Sequence, residues 1–305
     1  MNCALIGMGS MGQNHYKTIL TNENINFVGV VEPDRDLVKD INIKHYNDVE
    51  TLLKNENIDF AIIATPTSTH LEIAKKFLER GIDLLVEKPI AKNSAEAKEM
   101  VNIAHKNDCK LIVGHIERYN PAIQAVLPRL KKEKIVHYEA SRFSGYPTRI
   151  TDVGVKLDLS IHDIDLMSLL SPSNISECYC LESVNIDKND DDAVFIIKFY
   201  NNALATIRTS WLFPYRERKI KLLADDKYYV IDLLNKQATV YIEDENDLGS
   251  FVVESIHVNR TDALSSQLSA FVEYLKTGNK GSLCDGETAG LALSYVEGEN
   301  NESVY

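Results

Sequence analysis

Two segments of the sequence carry side chains whose types and spacing suit proton removal from a hydroxyl group. Lys88 follows the apolar run IDLLVE, where an ammonium group can hold a substrate hydroxyl and stabilise alkoxide character as hydride leaves. Asp158 and His162 lie four residues apart, so they share one face of a helix. Histidine takes a hydroxyl proton near neutral pH, and Asp158 can orient it or bind a neighbouring hydroxyl. The pattern favours dehydrogenase chemistry; the alternatives are a surface lysine and a buried histidine with an aspartate partner.

The segment 152–170 indicates that this polar face lies against something polar. With Asp158 taken as zero on a helix of 100° per residue, His162 falls at about 40° and Asp165 at about −20°. We expect a helix buried on most sides, with Asp163 and Asp165 as caps or supporting groups and the polar face toward an active-site cleft. The apolar residues that cover the other directions are Leu157, Leu159, Ile161, Ile164, Leu166, Met167 and Leu170.

A glycine-rich turn near the start of the chain predicts a dinucleotide site. Gly7-x-Gly9-x-x-Gly12 follows the apolar strand CALIG and opens a helix, so the backbone can turn tightly and approach a pyrophosphate closely. Glu32 ends the next apolar strand, where a carboxylate accepts hydrogen bonds from both ribose hydroxyls. A 2′-phosphate there would meet like charge, so NAD is favoured, although Arg35 keeps NADP open. The alternative is a plain glycine turn with a surface glutamate.

Further candidates follow the later apolar strands, because ligands of parallel α/β sheets bind at the carboxyl ends of strands. Thr65-Pro66 with His70 comes first, and the triplet Glu87-Lys88-Pro89 comes next. Lone histidines such as His15 and His115 carry less weight, since most are structural or exposed. The residues predicted to bind the cofactor are Gly7, Gly9, Ser10, Met11, Gly12, Glu32, Thr65, Pro66, His70, Glu87 and Lys88.

The order of apolar segments predicts two domains. In residues 1–118 short strands alternate with amphipathic helices, which is typical of a parallel, doubly wound α/β sheet of the Rossmann type. Thr69-x-x-Glu72 and Asn93-x-x-Glu96 are predicted capping boxes. In residues 119–305 eight strand-like segments predict an α+β domain with an antiparallel or mixed sheet, and helical patterns at 262–277 and 286–297 close the chain.

Composition and charge argue against several classes of partner. The formal net charge of −12 disfavours nucleic acid and acidic membranes, because both bind basic surfaces. The apolar runs have strand length, and the first residues form a strand and a glycine turn rather than a cleavable leader, so we expect a cytoplasmic protein. The five cysteines are scattered without zinc-like spacing, and we expect no metal.

The motifs resemble those of the glucose-fructose oxidoreductase, inositol dehydrogenase and rhizopine catabolism (Gfo/Idh/MocA) superfamily. The resemblance rests on GMGSMGQNH, on Glu87-Lys88-Pro89 and on Gly154-x-x-x-Asp158-x-x-x-His162, and it extends over essentially the whole chain. It implies that Lys88, Asp158 and His162 are catalytic and that the second domain is an open mixed sheet. Val153 stands where many relatives carry a first glycine, so substrates of the sugar-alcohol dehydrogenases are not carried over.

The segments 113–123, 149–166 and 209–214 most resemble the branch of UDP-N-acetylglucosamine 3-dehydrogenases. That resemblance implies oxidation of the 3-hydroxyl of a nucleotide sugar, whose diphosphate needs cations. Arg118, Arg142, Arg149 and Lys156 lie in or near these segments. The alternatives are a dehydrogenase of a free sugar or inositol and a non-catalytic NAD-binding regulator. The residues predicted to bind substrate are Lys88, Arg118, Tyr119, Arg149, Asp158 and His162.

The balance of strands and helices in residues 119–305 predicts self-association. Eight strands make a sheet whose helical cover, about four helices, is too small for both of its faces. An uncovered apolar face usually binds a partner, so we expect a homodimer or a homotetramer.

Overall fold

The computed structural model describes residues 1–39, 41–147, 153–171, 173–186, 188–244, 247 and 249–298, which divide into two compact units. The first unit comprises Met1–Ile116 and Ala263–Leu291, and the second comprises Glu117–Asp262 and the chain from Ala292 onward. The first division lies close to the boundary expected near residue 118. Residues 263–291, which were expected in the second domain, group instead with the first unit.

The first unit is built on a parallel sheet. Its strands, numbered in chain order, are β1 (Asn2–Ile6), β2 (Asn26–Val31), β3 (His45–Tyr46), β4 (Phe60–Ile63), β5 (Asp83–Val86), β6 (Leu111–Val113) and β15 (Cys284–Asp285). Their order is β15-β6-β5-β4-β1-β2-β3, and only the β15–β6 pair is antiparallel. Strands β1, β4 and β5 are almost wholly apolar and buried, as expected for a sheet covered on both faces. The predicted Rossmann architecture is confirmed.

The helices of the first unit are α1 (Ser10–Leu20), α2 (Val49–Asn55), α3 (His70–Leu78), α4 (Ser94–Lys106) and α7 (Ala263–Thr277). Three of them, α1, α2 and α4, begin directly after a glycine or a capping side chain. Asn93 caps α4 by accepting a hydrogen bond from the Glu96 amide at 2.8 Å, as predicted. The capping box predicted at Thr69 is wrong. Residues 67–69 form a 3₁₀ turn, and the Thr69 hydroxyl donates to the Pro66 carbonyl instead.

The C-terminal segment joins the first unit through contacts that are remote in sequence. Cys284 and Asp285 in β15 pair with Val113 and Ile112 at the edge of the parallel sheet. Phe271 in α7 packs edge-on against Phe60 in β4, with ring centroids 5.4 Å apart. Both sets of contacts bury apolar surface of the first unit, and this burial explains why 263–291 group with it. The division between the units falls within α8 (Gly286–Glu297).

The second unit contains one mixed sheet of eight strands. They are β7 (Ile135–Phe143), β8 (Ile175–Ser183), β9 (Asp192–Phe199), β10 (Leu204–Ser210), β11 (Glu217–Ala224), β12 (Lys227–Asp232), β13 (Gln237–Glu243) and β14 (Phe251–Ile256). Their order is β14-β13-β12-β11-β7-β10-β9-β8, and only the β7–β10 pair is parallel. All eight predicted strands are present, and the large mixed sheet is confirmed.

One face of this sheet packs against α5 (Pro121–Leu130), α6 (Ile161–Leu170) and a π-helical turn at Lys156–Ser160. Tyr138 points toward that face, and its hydroxyl donates to the Leu170 carbonyl at 3.0 Å. Along each strand, residues that point to the opposite face alternate with residues that point toward the helices, and those of the opposite face are more exposed. The large apolar side chains exposed on that face include Tyr179, Leu181, Ile196, Leu204 and Leu223. Among the described residues, no helix is both long enough and apolar enough to cross a membrane.

Candidate active site

The three glycines of the turn after β1 have different steric surroundings. Gly7 has a φ of +96°, and a Cβ there would lie 2.6 Å from the Ala64 carbonyl oxygen. A Cβ on Gly12 would lie only 2.1 Å from the Gly7 carbonyl oxygen, so this position must be glycine for the helix to pack against the turn. A Cβ on Gly9 would meet nothing within 4 Å. The middle glycine therefore faces open space at the N-terminus of α1, where a pyrophosphate can approach the backbone.

Glu32, at the carboxyl end of β2, is fixed by backbone amides. One carboxylate oxygen accepts from the Met8 amide at 2.8 Å, and the other accepts from the Asp34 amide at 3.0 Å. Glu32 lines a cavity of about 650 Å³ that also contains Gly7 and Gly9. A carboxylate held in this way keeps further lone pairs for hydroxyl donors.

The cavity contains some, but not all, of the predicted cofactor residues. Gly7, Gly9, Glu32, Thr65 and Pro66 line it. Ser10, Met11, Gly12, His70, Glu87 and Lys88 do not line it. The cavity also has an apolar wall, which was not predicted and which suits a flat, weakly polar ring. Its residues have no distinctive type, so the sequence contains no signal that would single them out. They are Val31, Leu37, Val49 and Ile73.

His70 is buried and connects two of the predicted loops. Its Nε2 lies 3.0 Å from the Thr65 carbonyl oxygen, and its Nδ1 lies 3.0 Å from the Pro89 carbonyl oxygen. Burial lowers the pKa of this imidazole, while its carbonyl neighbours oppose that shift. The ring thus joins the loop after β4 to the loop after β5, a positioning contact rather than part of the cavity wall.

Glu87 contacts the protein interior. Its Oε1 lies 2.6 Å from Nε2 of His15, a side chain with no exposed surface, and its Oε2 accepts from the Lys88 amide at 3.3 Å. A Cβ on Gly114 would lie 3.0 Å from the same carboxylate, so glycine at 114 leaves room for it. His15 and Glu87 therefore form a buried pair directly beneath the loop that carries Lys88. His15 was expected to be structural or exposed, and it is buried; its partner was not predicted, because no spacing pattern links residue 15 to residue 87.

Asp158 and His162 lie in the second unit at a change of helix type. Residues 156–160 form a π-helical turn, in which the Ile161 amide donates to the Lys156 carbonyl, and α6 follows. The expected angle of about 40° between Asp158 and His162 assumed a continuous α-helix. That expectation is wrong, because Asp158 lies in a π-helical turn and His162 in the α-helix that follows. Both side chains are partly exposed, whereas Asp163 and Asp165 are buried. Turns of π-helix inside α-helices are frequent at functional sites.

Gly154 allows an aspartate to hold the start of this turn. A Cβ on Gly154 would lie 2.0 Å from a carboxylate oxygen of Asp190. That carboxylate accepts from the Lys156 amide at 2.9 Å, and the Asp190 carbonyl accepts from the Val155 amide at 2.8 Å. Gly154 is therefore needed for a structural reason, because a side chain at this position would prevent Asp190 from reaching the two amides.

Arg118 and Arg142, two of the cations predicted near the substrate, form buried ion pairs with carboxylates. The guanidinium of Arg118 makes hydrogen bonds of 2.7 to 3.0 Å to the carboxylate of Asp165, and both side chains are buried. Arg142 binds Asp163 through two hydrogen bonds of 2.7 and 2.9 Å and lies 3.2 Å from Glu117. These contacts correct the expectation that Arg118 and Arg142 supply charge for a substrate diphosphate, since carboxylates already neutralise them.

The remaining predicted substrate residues differ in what the structure says of them. Tyr119 is buried, burial raises its pKa to about 12, and its hydroxyl has no hydrogen-bond partner among the described residues. Lys156 forms an ion pair with Glu182. Arg149 lies outside the described residues.

A second cavity, also of about 650 Å³, lies within the second unit at the ends of β7 and β11. Asp158 lines it, as do the buried Arg142 and two further arginines, Arg216 and Arg218. Its walls also include aromatic rings. Arg216 and Arg218 were not predicted, because they stand at the start of β11, remote in sequence from α6, and belong to no motif. The aromatic residues of the wall are Phe143, Tyr146 and Trp211.

Comparisons with known families agree with this architecture. A family model described as "Oxidoreductase family, NAD-binding Rossmann fold" matches residues 1–115, and one described as "GFO/IDH/MocA C-terminal domain" matches residues 124–231. The fold and the matched domains define an oxidoreductase with an NAD-binding domain. The chain belongs to the Gfo/Idh/MocA family.

Several similar proteins are named as dehydrogenases. The chain is 27% identical over 233 residues to UDP-N-acetylglucosamine 3-dehydrogenase of Acidithiobacillus ferrooxidans, a match that covers 73% of this chain and 72% of that enzyme. It is 21% identical over 317 residues to myo-inositol 2-dehydrogenase of Thermotoga maritima, with 97% and 95% covered.

Solved structures share the fold. The structure of the Acidithiobacillus ferrooxidans enzyme superimposes with a TM-score of 0.90 at 24% identity, covering 98% of this chain and 96% of that one. The WlbA dehydrogenase of Bordetella pertussis, solved with NADH and UDP-GlcNAcA, has a TM-score of 0.81 at 16% identity, with 97% and 93% covered. At these identities the likeness concerns the fold alone.

Proposed function

We propose that this protein is an NAD-dependent dehydrogenase that oxidises a hydroxyl carbon of a nucleotide sugar such as UDP-N-acetylglucosamine, at its 3-hydroxyl. The observation that carries the cofactor half of this proposal is the cavity shared by Gly7, Gly9 and Glu32. Names of similar proteins support the substrate class. One is a UDP-N-acetylglucosamine 3-dehydrogenase, and another was solved with UDP-GlcNAcA.

The residues around the first cavity fit a dinucleotide. Open space over Gly9 and the N-terminus of α1 suit the pyrophosphate, and the carboxylate of Glu32 suits the ribose hydroxyls. When bound, the nicotinamide supplies the redox chemistry by taking up or releasing a hydride. NAD is proposed over NADP because Glu32 would repel a 2′-phosphate.

The proposed roles of the chain's own residues concern the proton and the orientation of the substrate. His162 accepts the hydroxyl proton, and Asp158 orients the substrate or the imidazole. Lys88 holds the reacting oxygen and stabilises its developing negative charge. The pair His15–Glu87 lies under the Lys88 loop, and the Asp190–Gly154 contact holds the turn that carries Asp158.

Substitution of Glu32 by alanine tests the cofactor assignment. We expect Glu32→Ala to lower the preference for NAD over NADP by about tenfold or more, because a carboxylate that binds ribose hydroxyls also repels a 2′-phosphate. The measurement is kcat/KM with each cofactor. Asp36→Ala is a matched control, since it removes an exposed carboxylate four residues away. An unchanged preference in Glu32→Ala contradicts the assignment.

Formation of NADH at 340 nm tests the substrate proposal. We expect reduction of NAD with UDP-N-acetylglucosamine and a far smaller rate with N-acetylglucosamine, whose missing diphosphate removes the charged part of the ligand. A dehydrogenase of free sugars or inositols would show the reverse order. A non-catalytic NAD-binding regulator would bind NAD and reduce it with none of these compounds. Either result overturns the proposed function.

We also propose that the protein is a homodimer or a homotetramer in solution. The open face of the second sheet exposes large apolar side chains on β8, β9, β10 and β11, and β7 lies between the last two of these strands. These side chains are Tyr179, Leu181, Ile196, Leu204 and Leu223. Uncovered apolar surface of this kind usually binds a partner, and closed symmetry is its commonest outcome. Light scattering at micromolar concentration measures the subunit count, and a stable monomer contradicts the proposal.

A further inference from the structure

We propose that Arg216 and Arg218 bind the diphosphate of the nucleotide sugar in the cavity of the second unit. This inference rests on the proposed function and assigns the cations that the substrate needs to residues that no sequence motif marks. The contacts of these two arginines, the charges around them and the aromatic rings beside them carry the assignment.

Arg216 and Arg218 are two residues apart at the start of β11, and both line the cavity. Side chains two apart in an extended segment point to the same face, so two guanidinium groups meet the same space. Arg216 is exposed, and it has no ion-pair or hydrogen-bond partner among the described residues. Its charge is therefore available to a ligand.

Arg218 is held beside the cavity with part of its hydrogen-bonding capacity in use. It stands directly opposite Arg142 across the β7–β11 pair, a placement that repels like charges. Glu117 relieves this repulsion, since its Oε1 lies 3.0 Å from Arg218 and 3.2 Å from Arg142. A guanidinium has five N–H donors, and among the described residues Arg218 uses only its Nη1, which donates to Glu117. Its side chain is 42% exposed, so the other donors can reach a ligand.

The lining of the cavity contains three arginines and one carboxylate, Asp158, and Arg216 is the arginine without an ion pair among the described residues. Arg142 is neutralised by Asp163, and Arg218 shares Glu117. Burial alone would raise the pKa of Glu117, but Arg142 and Arg218 hold it below its ordinary value, so the carboxylate is ionised at neutral pH. A diphosphate that enters beside Arg216 thus meets a guanidinium that has no carboxylate partner among the described residues, in a protein of net charge −12.

The other walls of the cavity suit the nucleoside. Phe143, Tyr146 and Trp211 contribute aromatic rings, and Tyr146 meets Trp211 edge-on with ring centroids 5.6 Å apart. Trp211 is buried, whereas Phe143 and Tyr146 are half-buried and can offer ring surface to a base. Bases stack on such rings. A volume of about 650 Å³ lies within the range of ligand sites. Asp158 lines the same cavity, where it would face the sugar.

Calorimetric titration with UDP tests this assignment directly, since UDP contains the diphosphate and lacks the N-acetylglucosamine whose 3-hydroxyl would be oxidised. We expect Arg216→Ala in the full chain to weaken UDP binding about tenfold or more, and Arg216→Lys to weaken it less, because lysine keeps the charge and loses bidentate geometry. NAD binding should stay the same. In turnover, Arg216→Ala should raise KM for UDP-N-acetylglucosamine about tenfold at nearly constant kcat.

Arg129→Ala is the matched control, because Arg129 is a similarly exposed arginine that pairs with Glu254 and does not line this cavity. It should leave UDP binding unchanged. If the unmodified protein binds UDP and Arg216→Ala binds it equally well, the arginine assignment is overturned while the nucleotide-sugar proposal stands. If the unmodified protein binds no UDP and oxidises no nucleotide sugar, the proposed substrate class fails and the assignment fails with it.

Discussion

Replacement of His162 by alanine is expected to lower kcat by about 10²- to 10⁴-fold, the range typical of a positioned general acid–base group. Affinity for NAD should change little, because His162 belongs to the second unit while the glycine turn and Glu32 belong to the first. The expected measurements are steady-state kinetics with UDP-N-acetylglucosamine and fluorescence titration with NADH.

Comparison of rate with stability separates a catalytic role of His162 from a structural one. His162→Gln keeps a hydrogen-bonding side chain but no base, so kcat should fall as in His162→Ala while the thermal unfolding midpoint stays close to that of the unmodified protein. His105→Ala, a substitution of an exposed histidine in the first unit, should keep both the rate and the midpoint. Retention of the wild-type rate in His162→Ala would exclude the role as general base.

Arg142→Ala is expected to destabilise the protein by about 3 to 5 kcal/mol, because it leaves the carboxylates of Asp163 and Glu117 buried without their main cation. That loss is a large fraction of the stability of an ordinary domain. Arg129→Ala removes an exposed ion pair with Glu254 and should cost less than about 1 kcal/mol. Urea unfolding of the unmodified protein, Arg142→Ala and Arg129→Ala measures the loss of stability in each variant. Equal unfolding midpoints for the two variants would contradict the prediction.

The destabilisation by Arg142→Ala should depend on pH in a definite direction. The pKa of Glu117 lies below its ordinary value of 4.5 in the folded protein, so its pairing stabilises the fold above that pH and loses this effect as the pH falls. In Arg142→Ala the pKa of Glu117 is expected to rise, because the effect of burial is then opposed by Arg218 and the Asn120 hydrogen bond without Arg142. The gap in stability between the two proteins should therefore narrow below pH 4.5. A gap that widens there would contradict the proposed role of Glu117.

The proposed cofactor site could be predicted from the sequence because its parts are close together in the chain. Gly7, Gly9 and Gly12 lie within one turn, and their different steric requirements follow from a strand that leads directly into a helix. Glu32 follows at the end of the next strand and shares a cavity with two of these glycines. The residues that the cavity adds, such as Leu37 and Ile73, have no distinctive type and were not predicted.

The arginines illustrate the opposite case. Residue type and position near the motif helix suggested Arg118 and Arg142 as substrate cations, whereas both form buried ion pairs with carboxylates of α6. Arg118 and Asp165 are 47 positions apart, and Arg218 and Glu117 are 101 apart. No local pattern records which carboxylate meets which guanidinium, so the sequence could not tell a neutralised arginine from an accessible one.

The sequence by itself determined the two kinds of sheet, the glycine turn and the eight strands of the second unit, because these depend on periodicity and spacing over a few tens of residues. The tertiary structure decided the return of 263–291 to the first unit, the π-helical turn that carries Asp158, and the burial of Arg118 and Arg142. Each of these is set by packing between segments remote in the chain, where the free energy of burying a charge or an apolar surface depends on partners that folding alone brings together.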